Sequence, residues 1–184
     1  MKIVVVSDTH GNMHRLKYVV EQNKDADLFL HLGDGAEEFF EIKKLYPNLL
    51  MNIVRGNCDF GYNNVPNHVT FDADSHKIFA SHGYTHKVKD GIDNYVEFAK
   101  GRGADIILYG HTHERFTKNQ DNLYIMNPGS LSCPRSFGPS YGILNIGDDV
   151  IMEIVSTKIK EKKSNMLLNR MIRVDQKIFA LFMT

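Results

Sequence analysis

Five short polar motifs, placed along the chain in a fixed order, set the strongest constraint on how it can fold. They are Asp8-Thr9-His10, Gly33-Asp34, Gly56-Asn57-Cys58-Asp59, Ser81-His82-Gly83 and Gly110-His111-Thr112-His113. Four of the five directly follow an apolar, β-branched run. Short apolar runs read as buried strands, so the motifs are expected in loops at strand C-termini. In an open α/β sheet those loops crowd onto one edge, where ligands bind. Asp8, His10, Asp34, Asn57, His82, His111 and His113 should then meet in one place. Carboxylate, amide and imidazole donors without sulfur suit divalent ions such as Mn²⁺, Fe²⁺, Ni²⁺ or Zn²⁺. Seven donors are too many for one closed structural site and suit two ions that share a bridging carboxylate.

The pattern between the motifs predicts the architecture. Lys2–Val6 is a continuous apolar run, as in a buried parallel strand. His14–Gln22 carries Leu16, Val19 and Val20 near helical spacing, Asp27–Leu32 reads as the second strand, Ala36–Tyr46 as a helix stopped by Pro47, and Leu49–Val54 as the third strand. This β-α-β-α-β opening argues for parallel strands with right-handed crossovers. Three hairpins are expected further on: His68–Asp72 with Lys77–Ser81, Arg115–Thr117 with Tyr124–Met126, and Tyr141–Ile146 with Val150–Val155. Between the first two lie a short helix, Ile92–Lys100, and a strand, Asp105–Tyr109. The fold class is α/β, with two mixed β-sheets packed as a sandwich and flanked by helices. Residues 1–157 read as one domain, and residues 158–184 as a helical extension. In that extension Leu167, Met171, Val174, Ile178 and Leu181 form one apolar stripe suited to its own domain, to a second copy of the chain or to a membrane surface.

The bulk properties narrow the function. Lys plus Arg and Asp plus Glu number 22 each, which gives no support for a broad nucleic-acid footprint. A small phosphate substrate remains compatible, because metal ions can supply the positive charge. Two cysteines form no disulfide framework. No signal-peptide pattern opens the chain, and the apolar runs are far too short for a membrane span. A cytoplasmic protein is expected.

As a set, the five motifs resemble those of the calcineurin-like metallophosphoesterase superfamily, and within it the small bacterial and archaeal phosphodiesterase branch. The resemblance runs from Met1 to about Val155. It implies two divalent ions, Mn²⁺ foremost, with Ni²⁺, Fe²⁺ or Zn²⁺ as other candidates. One ion would take Asp8, His10, Asp34 and His113, and the other Asp34, Asn57, His82 and His111. Asp34 bridges them, and Asp34, Asn57 and His82 carry the catalysis. The implied reaction is hydrolysis of a small phosphoester, foremost a phosphodiester, by a hydroxide bridging the ions. Arg135, which follows Asn127-Pro128-Gly129-Ser130, and Arg55, beside Gly56-Asn57, are candidate phosphate contacts. Many superfamily members carry histidine after the Gly-Asn pair as a general acid; here that position is Cys58, a poorer match to neutral pH. A non-catalytic scaffold of the same fold, such as the retromer subunit, and a phosphomonoesterase or pyrophosphatase on the same metals stay open as alternatives. The role of Asp59 is open too, and His31 reads as a satisfied core histidine.

Overall fold

The computed structural model of the protein describes residues 1–135 and 137–157; the expected C-terminal extension lies outside the described residues. In chain order the elements are β1 (Lys2–Val6), α1 (Met13–Gln22), β2 (Leu28–His31), α2 (Ala36–Leu45), β3 (Met51–Ile53), β4 (His68–Ala73), β5 (His76–Ser81), α3 (Asp93–Lys100), β6 (Ile106–Leu108), β7 (Arg115–Gln120), β8 (Leu123–Pro128), β9 (Ser140–Ile146) and β10 (Val150–Ser156).

β1 shows why the chain forms a layered structure. Successive side chains of a strand point to opposite faces. Ile3 and Val5 therefore enter one core cluster and Val4 and Val6 another, and all four are buried. Such a strand must be covered on both sides. The first sheet has the order β10-β9-β1-β2-β3, and the second β4-β5-β6-β8-β7. In the first, β1, β2 and β3 run parallel, and β9 lies antiparallel to β1. In the second, β5, β6 and β8 run parallel between antiparallel β4 and β7. The inner faces meet through Ile3, Val5, Leu30, Ile78, Ile106, Leu108 and Leu144. Each such side chain contributes about 1.5–3 kcal/mol on burial. Leu16, Val19, Val20, Phe39 and Ile42 of the first two helices cover the outside of one sheet, and Tyr95 and Ala99 of α3 help cover the other.

The two mixed sheets with flanking helices are those the sequence predicts. Among the described residues the expected elements form, with ends shifted by a few residues. The helix caps have consequences for the site. Asn12 caps α1 through its side chain, accepting from Arg15 N at 3.1 Å, so that Asp8 and His10 are not spent on the cap. The N-cap of α2 is Gly35, which has no side chain to offer.

Candidate metal centre

The loops after β1, β2, β3, β5 and β6 converge at the edge shared by the two sheets. Backbone bonds tie them together: Asp8 N donates to Gly33 O at 3.0 Å, His10 N to Asp34 O at 3.0 Å, and Gly110 N to His82 O at 3.2 Å. Their close approach depends on glycine. A Cβ on Gly56 would lie 2.1 Å from Asp34 Oδ1, and one on Gly110 would lie 2.0 Å from Ser7 Oγ.

Asp8, His10, Asp34, His111 and His113 all have left-handed backbones, with φ of 55°, 40°, 57°, 66° and 60°. Few non-glycine residues adopt this conformation, and it persists only where the surroundings impose it. Tight turns here aim side chains inward that a relaxed strand end would spread apart.

Three groups of donor atoms result, each within 4.8 Å across; two of them, without sulfur, are Asp8, His10 and His113, and Asp8, Asp34 and His82. Asp34 Oδ2 lies 3.4 Å from His82 Nε2 and 3.9 Å from His10 Nε2, between the two groups. Asn57 Oδ1 stands 3.1 Å from His82 Nε2. His111 lies outside both groups, with its ring 5.0 Å from that of His82, while its backbone N–H donates to Asp8 Oδ2 at 3.1 Å.

Hydrogen bonds behind the site fix which nitrogens face it. His82 Nδ1 lies 2.7 Å from Leu32 O, and His113 Nδ1 lies 2.8 Å from Cys133 O. A carbonyl only accepts, so each Nδ1 carries the proton and each Nε2 turns a lone pair inward. Histidines that ligate metals use this arrangement. Asp8 Oδ1 is buried without a satisfied hydrogen bond, although His113 Nε2 lies 3.1 Å away. Lone pairs facing buried carboxylates need a cation between them.

The electrostatics agree. Burial alone would raise the Asp34 carboxyl, but the bond to His82 and its charge hold it well below the usual carboxylate range. Asp8 is likewise held low against its burial, by His113 and His82. Burial disfavours a charge on His82, yet Asp34 and Asp8 outweigh it and raise its affinity for a proton. In His113 the nearby Asp8 carboxylate does the same. A proton or a metal ion satisfies such a site, and metal binding displaces the proton. Burial pushes His111 down to about 4, leaving it neutral and ready to ligate. The donor set fits divalent metal ions.

A framework supports these residues. Asp59, buried, accepts from four backbone N–H groups: Asp34 at 2.9 Å, Gly35 at 2.8 Å, Ala36 at 2.8 Å and Gly56 at 2.7 Å. It supplies the cap that Gly35 cannot give α2 and locks the Asp34 turn to the Gly56-Asn57 turn. Asn127 Nδ2 donates to Gly110 O at 2.9 Å and Thr112 Oγ1 at 3.0 Å. Ser130 Oγ donates to Asp8 O at 2.8 Å and accepts from Cys133 N at 2.8 Å. Glu38 holds the Gly11 N–H. His31 is a satisfied core histidine, accepting from Gly33 N at 3.1 Å and lying 3.1 Å from Thr9 Oγ1; burial pushes it down to about 4.

The remaining predicted residues divide. Cys58 donates its backbone N–H to Asp34 Oδ1 at 2.7 Å, and its Sγ joins His10 and Asp34 in a third potential donor group. Burial and the Asp34 charge push the thiol up to about 11. Arg135 lines a cavity beside the centre, and its N–H donates to His113 O at 3.1 Å. Arg55 is held by Asn63 Oδ1 at 3.0 Å and lines neither cavity flanking the centre. Among the described residues no helix is long and apolar enough to cross a membrane.

Comparison with known proteins agrees with this geometry. Residues 1–149 match the model of the calcineurin-like phosphoesterase superfamily domain. The chain is 32% identical over 152 residues to a probable metallophosphoesterase, YsnB, of Bacillus subtilis, covering 81% of this chain and 86% of that protein. It is 28% identical over 173 residues to Phosphodiesterase MJ0936 of Methanocaldococcus jannaschii, covering 84% and 99%. A conserved protein of Streptococcus pneumoniae, a predicted phosphoesterase, superposes with a TM-score of 0.73 at 27% identity, covering 84% of this chain and 88% of that one. The chain belongs to the calcineurin-like phosphoesterase superfamily and is a hydrolase of that class.

Proposed function

We propose that the protein hydrolyses phosphodiesters with two divalent metal ions, Mn²⁺ being the best suited. Asp8, His10, Asp34 and His113 would hold one ion, and Asp34, Asn57, His82 and His111 the other. The observation that carries this reading is the position of Asp34 Oδ2 between His82 Nε2 and His10 Nε2. Its other oxygen is engaged by Cys58 N–H, so Oδ2 is the atom free to be shared.

When bound, such ions supply Lewis acidity and a water acidified enough to attack phosphorus at neutral pH. The chain's own part is orientation. The Leu32 and Cys133 carbonyls hold His82 and His113 in the ligating tautomer. Asp59 fixes the turns bearing Asp34 and Asn57. Arg135, exposed in the wall of the cavity beside the centre, would donate to a phosphate oxygen of the substrate. The likeness to a protein named as a phosphodiesterase supports diesters over monoesters.

Asp34→Asn tests the reading. Expected results are loss of most bound metal after reconstitution with Mn²⁺ and loss of bis(p-nitrophenyl) phosphate hydrolysis. Full metal content and activity in the variant would refute the shared-carboxylate centre.

A further inference from the structure

Two cavities flank the centre, and they differ in charge. One, of about 240 Å³, lies past His10, Asp34 and Cys58 and includes Glu37 and Glu38. The other, of about 400 Å³, opens beside Thr112, the residue between His111 and His113, and has Lys89 and Arg135 in its lining, with Glu114 as the acid among them. Lys89 is within electrostatic reach of both His111 and His113. Among the described residues neither the Lys89 ammonium nor the Arg135 guanidinium has an ion-pair or hydrogen-bond partner. Arg115, in the same wall, is occupied differently, donating to the carbonyls of Phe137 and Gly138 at 2.8 Å each. The buried Tyr109 ring and the half-buried Phe116 ring, tilted 52° to each other with centroids 6.4 Å apart, add apolar surface.

A bare phosphate needs far less room, and small-molecule sites typically occupy about 300–1,000 Å³. Unpaired cations at the rim of a ring-lined cavity suit a ligand that joins a ring to an anion. We propose that this cavity is the subsite for one arm of the diester, and that the arm it takes is a nucleoside bearing a second phosphate, held by Lys89 and Arg135. This rests on the phosphodiesterase reading above. The carboxylate-rich cavity on the other side would repel such an arm, so the two arms of the diester are told apart by charge.

The test compares thymidine 5′-(p-nitrophenyl phosphate) with the same compound carrying a 3′-phosphate, using the Mn²⁺-loaded full chain. In either case the oxygen of water bonds to phosphorus and the P–O bond to the nitrophenyl arm breaks. p-Nitrophenolate leaves with the electron pair, and the proton from water passes to solvent. The 3′-phosphate should raise kcat/KM roughly tenfold, the effect of a charge-assisted contact of about 1.5 kcal/mol. Lys89→Gln and Arg135→Gln should each shrink that ratio, and the double variant should bring it close to one. Lys89 and Arg135 are both exposed, so their replacement leaves the fold intact. Calorimetry gives a second readout: thymidine 3′,5′-bisphosphate should bind more tightly than thymidine 5′-monophosphate in the parent, and equally in the double variant. Hydrolysis of both esters at equal kcat/KM would overturn the subsite and leave the phosphodiesterase reading standing. A preference untouched by the double variant would overturn it too. If neither ester is hydrolysed, the phosphodiesterase reading fails. The calorimetric preference then decides the subsite, its loss in the double variant supporting it and its absence in the parent refuting it.

Discussion

His113 donates its Nδ1–H to the carbonyl oxygen of Cys133 at 2.8 Å, and this bond leaves its Nε2 lone pair 3.1 Å from Asp8 Oδ1. Two donors separated by more than a hundred residues are thus matched by a turn that neither belongs to. That turn is itself held by Ser130, whose hydroxyl accepts from the N–H groups of Ser132 at 3.1 Å and Cys133 at 2.8 Å while donating to Asp8 O.

Ser130→Ala removes all three bonds without altering a metal donor. Supporting residues of this kind typically contribute about ten- to hundredfold in metal affinity, and a loss of that order is expected. Titration calorimetry with Mn²⁺ measures it. An affinity equal to that of the parent would show that the Cys133 turn holds its place without the hydroxyl.

Gly56→Ala addresses the contact between two loops. The new Cβ would lie 2.1 Å from Asp34 Oδ1 and 2.4 Å from Asp34 N. The backbone must move, at a cost of about 1–3 kcal/mol typical of overpacking. The movement separates Asp34 from His82, so a lower melting temperature and a reduced metal content are expected together. Gly147→Ala, where a Cβ would meet nothing within 4 Å, is the control and should change neither. Normal metal content in Gly56→Ala would refute the coupling between this contact and the centre.

Much of this was legible in the sequence. β1 and β2 are buried on both faces and so read as unbroken apolar runs, and a hairpin such as β7–β8 announces itself by its Asp121-Asn122 turn. Strand order was not legible, because β8 inserts between β6 and β7, and β9 returns from far along the chain to pair with β1. Pairing of that kind depends on three-dimensional packing and leaves no local pattern. The candidate ligands stood out because each follows its own strand. The residues that aim them did not. Asp59 serves donors drawn from two loops, and Asn127 and Ser130 act on loops 17 and 122 residues distant. Arg55 neighbours Gly56 in sequence, and its side chain turns to Asn63.

Cys58 and Asn57 separate side-chain chemistry from backbone support. The bond from Cys58 to Asp34 comes from the backbone N–H, which alanine retains. Cys58→Ala should therefore keep most of the activity on bis(p-nitrophenyl) phosphate, whose leaving group is stable without a proton. Asn57→Ala deletes the oxygen facing His82 Nε2 and should reduce activity far more, with a parallel fall in metal content. Steady-state kinetics on the two variants decide the matter. An equally deep loss in Cys58→Ala would give the thiol a chemical role.

Asp59→Asn is the sharpest test of the framework. The carboxylate uses both oxygens, Oδ1 for Gly35 and Ala36 and Oδ2 for Asp34 and Gly56. An amide keeps one oxygen and turns an NH₂ toward two N–H groups that need an acceptor. Buried donors left unsatisfied cost about 1–3 kcal/mol each, and α2 loses negative charge at its N-terminus. Because the loops can relax, a net loss of roughly 2–3 kcal/mol is expected, which lowers Tm by about 5–10 °C in a chain of this size. Asp34 and Asn57 sit in the turns that Asp59 joins, so Mn²⁺ affinity should fall in the same variant even well below its melting temperature. Calorimetric melts with and without Mn²⁺ separate the two effects: the stabilisation by metal should shrink along with the stability of the metal-free protein. A variant that melts lower yet gains as much from Mn²⁺ as the parent would show that Asp59 caps α2 without positioning the ligands.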